Sequence, residues 1–214
     1  MAHHAIQKYG LNHPHFDYPY DQNYKQAKIY SSFCCWIDRM IETERLILRQ
    51  WQARDHATFI KMGLDPDVMK YFPRCLTPEE SLNFVDSVTS FIDKNGWGFW
   101  DVELKQMHEF IGFIGLRSQP TQFDFSPCME IAWRLAKQFW QKGYATEGTQ
   151  AVLDYAFNTL KLNAVISFTA SVNTPSETVM KKLGMHKVKE FNHSQLPVNH
   201  VLARHVLYEK YKPI

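Results

Sequence analysis

No uninterrupted apolar run in this sequence exceeds a few residues. A membrane-spanning helix needs about 20 of them, so none is expected. The stretch from Met1 to Tyr20 is polar and His-rich, without the apolar centre of a secretory signal. Together the two absences point to a soluble cytoplasmic protein. A surplus of one charge is also missing: 24 Lys and Arg stand against 22 Asp and Glu, a net charge of +2. That balance supplies no basic patch for a nucleic-acid backbone. Cysteine is scarce, with Cys34, Cys35, Cys75 and Cys128 the four present. Adjacent Cys34 and Cys35 rarely pair with each other, and no metal-ligand spacing occurs, so reduced thiols and no bound metal are expected. No internal repeat is visible.

What the chain does have is enough apolar material for one sizeable core: 45% hydrophobic residues in 214. Residues 1–40 differ from the rest. They are rich in His, Asn, Gln, Tyr and Pro and lack a sustained period, which suggests a flexible appendage. His3, His4, His13 and His15 read as unpaired histidines there rather than metal ligands.

From Ile41 onward the patterns are regular. Arg45 to Arg49 reads as a strand with polar flanks. Asp55 to Met62 reads as a helix with Phe59, Ile60 and Met62 inward. Thr77-Pro78-Glu79-Glu80 is a strong helix start, followed by an apolar stripe of Leu82, Val85, Val88 and Ile92. Gly98–Leu104 and Phe110–Leu116 form a hairpin, and Met129–Leu135 is a third strand. A helix runs from Ala145 to about Leu160. Asn163–Ala170 is an apolar strand, and Thr174-Pro175-Ser176-Glu177 reads as a capping box opening a short helix that Gly184 stops. Lys187–Phe191 and Arg204–Tyr208 are two last strands joined by a loop. The order β-α-α-β-β-β-α-β-α-β-β describes a mixed α/β sheet.

Gly143 occupies the strand-to-helix turn in the middle of that order. A glycine there lets a ligand approach the backbone closely. The first helical N–H groups have no intrahelical partner and suit an anion, a phosphate above all. The alternative is an ordinary turn glycine.

Four stretches carry a resemblance. Thr43-Glu44-Arg45-Leu46-Ile47-Leu48-Arg49, Phe110-Ile111-Gly112-Phe113-Ile114-Gly115-Leu116, Trp140-Gln141-Lys142-Gly143-Tyr144-Ala145-Thr146-Glu147, and Asn173-Thr174-Pro175-Ser176 with Lys182-Leu183-Gly184-Met185 stand in one order between Ile41 and Tyr208. They resemble the GNAT acetyltransferase superfamily, in the branch of the ribosomal-protein N-terminal acetyltransferases. Gln141 departs from the family's usual Gly and Gly148 from its usual Ala, the latter at a small cost in helix propensity.

The resemblance implies an N-acetyltransferase domain over residues 41–214. Its sheet is mixed and mostly antiparallel, with a central splayed parallel strand pair and flanking helices. It implies acetyl-CoA as co-substrate, lying in the gap between Met129–Leu135 and Asn163–Ala170. Backbone of Ile131, Ala132 and Trp133 would hold the pantetheine arm, with an amide aimed at the thioester carbonyl. The pyrophosphate would rest on Gln141, Lys142, Gly143, Tyr144, Ala145 and Thr146. Lys142 would add charge, or be a solvated loop lysine. Asn173 would reach the pantetheine, or be a pre-helix turn residue.

Amine acetylation needs a neutral nucleophile, hence a base. Glu130 is the candidate, because a carboxylate inside an apolar strand is costly without a purpose. A sheet glutamate paired to a neighbouring strand is the other reading. Ser176 is the candidate donor to the departing thiolate, or a commonplace helix serine. Tyr71, Phe72, Trp97 and Phe99 are candidates for the acceptor wall. Cys128 should share a strand face with Glu130 and reads as packing. The expected reaction is direct acetyl transfer to a primary amine in a ternary complex. The acceptor would be a protein N-terminus or a small-molecule amine; a non-catalytic acyl-CoA sensor is the alternative.

Overall fold

The chain is described here over residues 40–213 by a computed structural model. All of the expected appendage except Met40, with its four histidines and Cys34 and Cys35, lies outside the described residues. One eight-stranded sheet organises the rest, in the order β1-β2-β3-β4-β5-β6-β8-β7. Its strands are β1 (Ile41–Glu42), β2 (Leu46–Arg49), β3 (Phe99–Leu104), β4 (Glu109–Gln119), β5 (Cys128–Leu135), β6 (Ala164–Ala170), β7 (His186–Asn192) and β8 (Arg204–Tyr211). The helices are α1 (His56–Leu64), α2 (Pro78–Asn95), α3 (Tyr144–Asn158) and α4 (Thr174–Lys182). Every neighbouring pair is antiparallel except β5–β6. A parallel pair needs a long crossover, and α3 supplies it. Among the described residues no helix is long and apolar enough to cross a membrane.

The two faces of the sheet have different chemistry. One packs under α1 and α2 as an aromatic cluster of Trp51, Phe59, Phe84, Phe99, Phe110 and Phe113, with ring centroids 5.1–6.4 Å apart. Such edge and offset contacts add to the burial of the rings. A register shift between Val102 and Glu103 lets Phe110 and Phe113 both reach this face. The other face meets α3 through Val152, Leu153, Ala156 and Phe157, as its sequence period predicts. Gly148 is there for fit: a Cβ would come within 2.5 Å of Ile114 Cδ1. The small propensity cost expected of Gly148 therefore secures close helix–sheet contact.

Several boundaries differ from the sequence reading for physical reasons. In α2 the Thr77 cap and its reciprocal Glu80 bond form as expected, and Gly96 ends the helix at φ 78°. Leu82, however, is exposed, and the stripe instead runs through Ser81, Phe84, Val85, Val88 and Ile92. Strand β4 continues past Leu116 through Arg117, Ser118 and Gln119. In α4 the cap is Asn173, whose side chain accepts from the Ser176 N–H, so Thr174 and Pro175 are already helical. Arg49, read as a polar flank, is buried. Its guanidinium holds Asp55 at 2.9 Å, Glu103 at 2.8 Å and Asp101 at 3.3 Å. Burial drives the Asp101 carboxyl well above the usual carboxylate range, helped by neighbouring Asp55 and Glu103. Of the three acids around Arg49, Asp101 is thus the one whose charge is least favoured, while Asp55 and Glu103 are held below their ordinary values.

Candidate active site

Strands β5 and β6 meet at the single pair Glu130–Ile166. Beyond it, Ala132–Leu135 on one side and Ser167–Ala170 on the other line a common cavity of about 940 Å³. The sheet therefore opens at its centre, and the strand-end backbone of β5 faces the gap. Glu130 stands where the strands part.

Glu130 is 9% exposed and lines the cavity. It lies opposite Arg117 on β4, and Gln119 Nε2 donates to its Oε2 at 2.5 Å. The two sequence readings converge, since the glutamate is bonded to a neighbouring strand and also faces the cavity. Burial pushes its carboxyl up, while Arg117 and Gln119 oppose that shift. Gln119 was outside the sequence reading of β4, because a polar strand end resembles a loop unless a cavity is known to be there. Cys128 does not line the cavity, and burial with the nearby Glu130 charge pushes its thiol up to about 11. Such a thiol is a poor nucleophile.

The turn before α3 forms the far end of the cavity. Gly143 caps α3 at φ 85°, and Gln141, where the family more often has Gly, takes φ 60°. A non-glycine residue in that region is strained by about 1–2 kcal/mol, of the kind concentrated at functional turns. Glu147 N–H donates to Gly143 O at 3.0 Å, so the amides of Tyr144, Ala145 and Thr146 precede the first intrahelical bond. Trp140 Nε1 donates to Leu135 O at 2.7 Å and ties the turn to the end of β5.

A clamp missed by the sequence reading holds this turn. Glu147 Oε1 accepts from Thr43 Oγ1 at 2.6 Å and Arg45 N–H at 2.9 Å, and its Oε2 accepts from Arg45 Nε at 2.6 Å. Arg45 Nη1 also donates to Lys142 O at 3.0 Å, and the guanidinium lies 4.5 Å over the Tyr144 ring. Burial opposes but does not overcome these donors, which hold the Glu147 carboxyl below its ordinary value. The opening strand and the turn are thus two halves of one contact. Their presence in the same four-stretch pattern was the available signal.

Most expected site residues do meet here. Ala132, Trp133, Gln141, Gly143, Tyr144, Ala145, Thr146, Asn173 and Ser176 line the cavity with Glu130. Ile131 does not: its side chain is fully buried, leaving only backbone for a ligand. Lys142 is not in the lining either; its ammonium lies 5.6 Å over the Phe139 ring. Asn173 Nδ2 donates to Thr169 Oγ1 at 2.8 Å and Ser176 Oγ at 3.1 Å. Ser176 Oγ is therefore an acceptor of Asn173, and its own hydrogen is left to donate. Of the acceptor-wall candidates, Tyr71, Phe72 and Phe99 line the cavity. Trp97 instead packs edge-on against Phe91 with ring centroids 5.0 Å apart.

The last loop adds a neutral wall. The His193 and His205 rings meet tilted, with centroids 4.9 Å apart, beside Phe123, Phe168 and Phe191. Burial, then His205, pushes His193 down to about 4, and burial lowers His205 too. Among the described residues no three His, Cys, Asp or Glu side chains are grouped to hold a metal.

The family described as Acetyltransferase (GNAT) domain matches residues 45–186. The Bacillus subtilis uncharacterized N-acetyltransferase YnaD is 31% identical over 69% of this chain and 82% of its own. The crystal structure of a GNAT-family acetyltransferase from Bacillus anthracis superposes with a TM-score of 0.68 at 28% identity, covering 81% of this chain and 98% of that one. The ribosomal-protein-S5-alanine acetyltransferase of Vibrio fischeri shares the fold, with a TM-score of 0.65 at 21% identity over 81% of this chain and 96% of its own. The splayed strand pair, the glycine-capped turn and these likenesses lead to one conclusion: the chain belongs to the GNAT acetyltransferase family.

Proposed function

We propose that this protein transfers an acetyl group from acetyl-CoA directly to a primary amine, with a protein N-terminus as the leading acceptor. The observation that carries the reading is one cavity joining a buried carboxylate at the parting of β5 and β6 to the open N-terminus of α3.

The pyrophosphate rests on the amides of residues 141–146, helped by the positive end of α3. Lys142 adds long-range charge from outside the lining. The pantetheine follows the open backbone of Ile131, Ala132 and Trp133, and Asn173 orients Ser176 beside it. Glu130 accepts the proton of the attacking amine. Its raised carboxyl makes it a stronger base near neutral pH than an ordinary glutamate. As the nitrogen bonds to the thioester carbon, a β5 amide stabilises the oxyanion. The C–S bond then breaks, and the departing thiolate takes a hydrogen bond from Ser176 Oγ.

Thiol release from acetyl-CoA against a panel of peptides and small amines tests the reading. Wild type should release coenzyme A with an amine present. Glu130→Gln should bind acetyl-CoA with unchanged affinity and lose at least about a hundredfold in turnover. Turnover confined to small amines moves the acceptor to that class. Tight acetyl-CoA binding without release for any amine favours a sensor. A salt-sensitive nucleic-acid complex would contradict the expected absence of that partner.

A further inference from the structure

Arg134 is the feature of the cavity that the transfer chemistry leaves unused. It stands on β5 opposite Phe113, on the strand face shared by Glu130 and Ala132. Its guanidinium lies 4.1 Å over Phe72 and 5.4 Å from the Phe113 ring centroid. Its Nε and Nη1 are buried with no hydrogen-bond partner among the described residues. Burial alone pushes the group down to about 10, with no acid nearby to oppose it, and it remains a cation at neutral pH. The acids lining the same cavity are engaged elsewhere: Asp67 by Lys137, Glu80 by Arg74 and Glu130 by Gln119. A half-buried cation with two buried, unpartnered N–H groups is costly, and a ligand anion is the natural remedy. A guanidinium fork suits a carboxylate.

Position assigns that anion to the acceptor. Arg134 rests on Phe72, in the loop between α1 and α2, which with Tyr71 is among the acceptor-wall residues that line the cavity. It lies four positions along β5 from Glu130, roughly 13 Å at about 3.3 Å per residue. That spacing exceeds an α-amino acid and spans up to about four residues of extended peptide.

Resting on the acetyl-transfer reading above, we propose that Arg134 binds a carboxylate of the acceptor. The acceptor is then a peptide whose N-terminal amine reacts at Glu130 and whose second to fourth residue is acidic.

C-terminally amidated tetrapeptides, glutamate or glutamine placed in turn at positions two, three and four, test this by thiol release from acetyl-CoA. For at least one position the glutamate peptide should show a KM at least about tenfold below its glutamine twin. Arg134→Gln should abolish that ratio and leave the KM for acetyl-CoA and the turnover of the glutamine peptide unchanged, which also reports that the variant is folded. Arg134→Lys should restore part of the ratio. Equal KM values for the twins overturn the proposal. So does a rise in the acetyl-CoA KM of Arg134→Gln with the ratio intact, which assigns the cation to a coenzyme phosphate. A carboxylate preference confined to small amino acids, without peptide turnover, overturns it as well. If no amine of any kind releases thiol, the acetyl-transfer reading itself has failed.

Discussion

Replacing Gly143 separates two effects that usually travel together. The residue sits at φ 85°, where alanine is strained by about 1–2 kcal/mol. A Cβ there would stand 3.2 Å from Arg45 Nη2 and meet nothing else within 4 Å. The protein therefore resists the methyl group mainly through backbone strain, and Gly143→Ala should lower Tm by about 2–4 °C per kcal/mol. Asparagine tolerates the left-handed region, so Gly143→Asn should stay close to wild type in stability. Both variants place a Cβ at the N-terminal end of α3, against the Arg45 clamp. If one charged hydrogen bond to the pyrophosphate is lost, about 1.5–3 kcal/mol, Kd for acetyl-CoA rises at least tenfold in both. Calorimetry of unfolding and titration of acetyl-CoA read the two quantities independently. Affinity that follows Tm, weak in alanine and normal in asparagine, would refute a direct steric role. Normal affinity in both would remove the turn from coenzyme binding altogether.

Three further perturbations address other parts of the account. Glu147→Gln keeps the volume but weakens the clamp from Thr43 and Arg45. It should cost about 1–2 kcal/mol, discounted for the partly exposed Arg45, and weaken acetyl-CoA binding measured by titration. Because burial raises the Glu130 carboxyl, the acid limb of kcat/KM should lie above pH 4.5 and vanish from the residual activity of Glu130→Gln. A limb unchanged in that variant belongs to another group. Asp101 is raised in the folded state, so its contribution to stability is complete below its unfolded value near 3.8 and is lost as pH rises through the folded value. Asp101→Asn lacks that loss, so its stability relative to wild type should grow with pH; a difference constant across pH in denaturant melts would show that folding leaves the Asp101 pKa unshifted.

Periodicity exposed the elements that face either water or a large core. The stripe of α3, the Thr77 cap and the apolar core of β6 were legible because each has one side of uniform chemistry. The strand end Arg117–Gln119 was not, because its polar side chains face an internal cavity rather than solvent. The buried Arg49 network was hidden for a related reason: a charge looks exposed until its counter-charges, 52–54 residues away on β3, are folded against it. At the site, Glu130 was legible as a charge inside an apolar strand. Arg134, four residues along the same strand, carried the same signal and was passed over. Trp97 was misplaced among the acceptor aromatics because it lies just before β3, and sequence does not say which neighbour a ring at a strand's entry packs on; here it is Phe91. The Arg45–Glu147 contact needed a tertiary link between two stretches about a hundred residues apart.

The most direct measurement is a crystal structure of the chain with coenzyme A. The account predicts the pyrophosphate within hydrogen-bond distance of amides between Gln141 and Thr146, the pantetheine lying between β5 and β6, and the thiol approaching Glu130 and Ser176. A coenzyme bound elsewhere, or β5 and β6 closed together beyond Glu130 and Ile166, would contradict it.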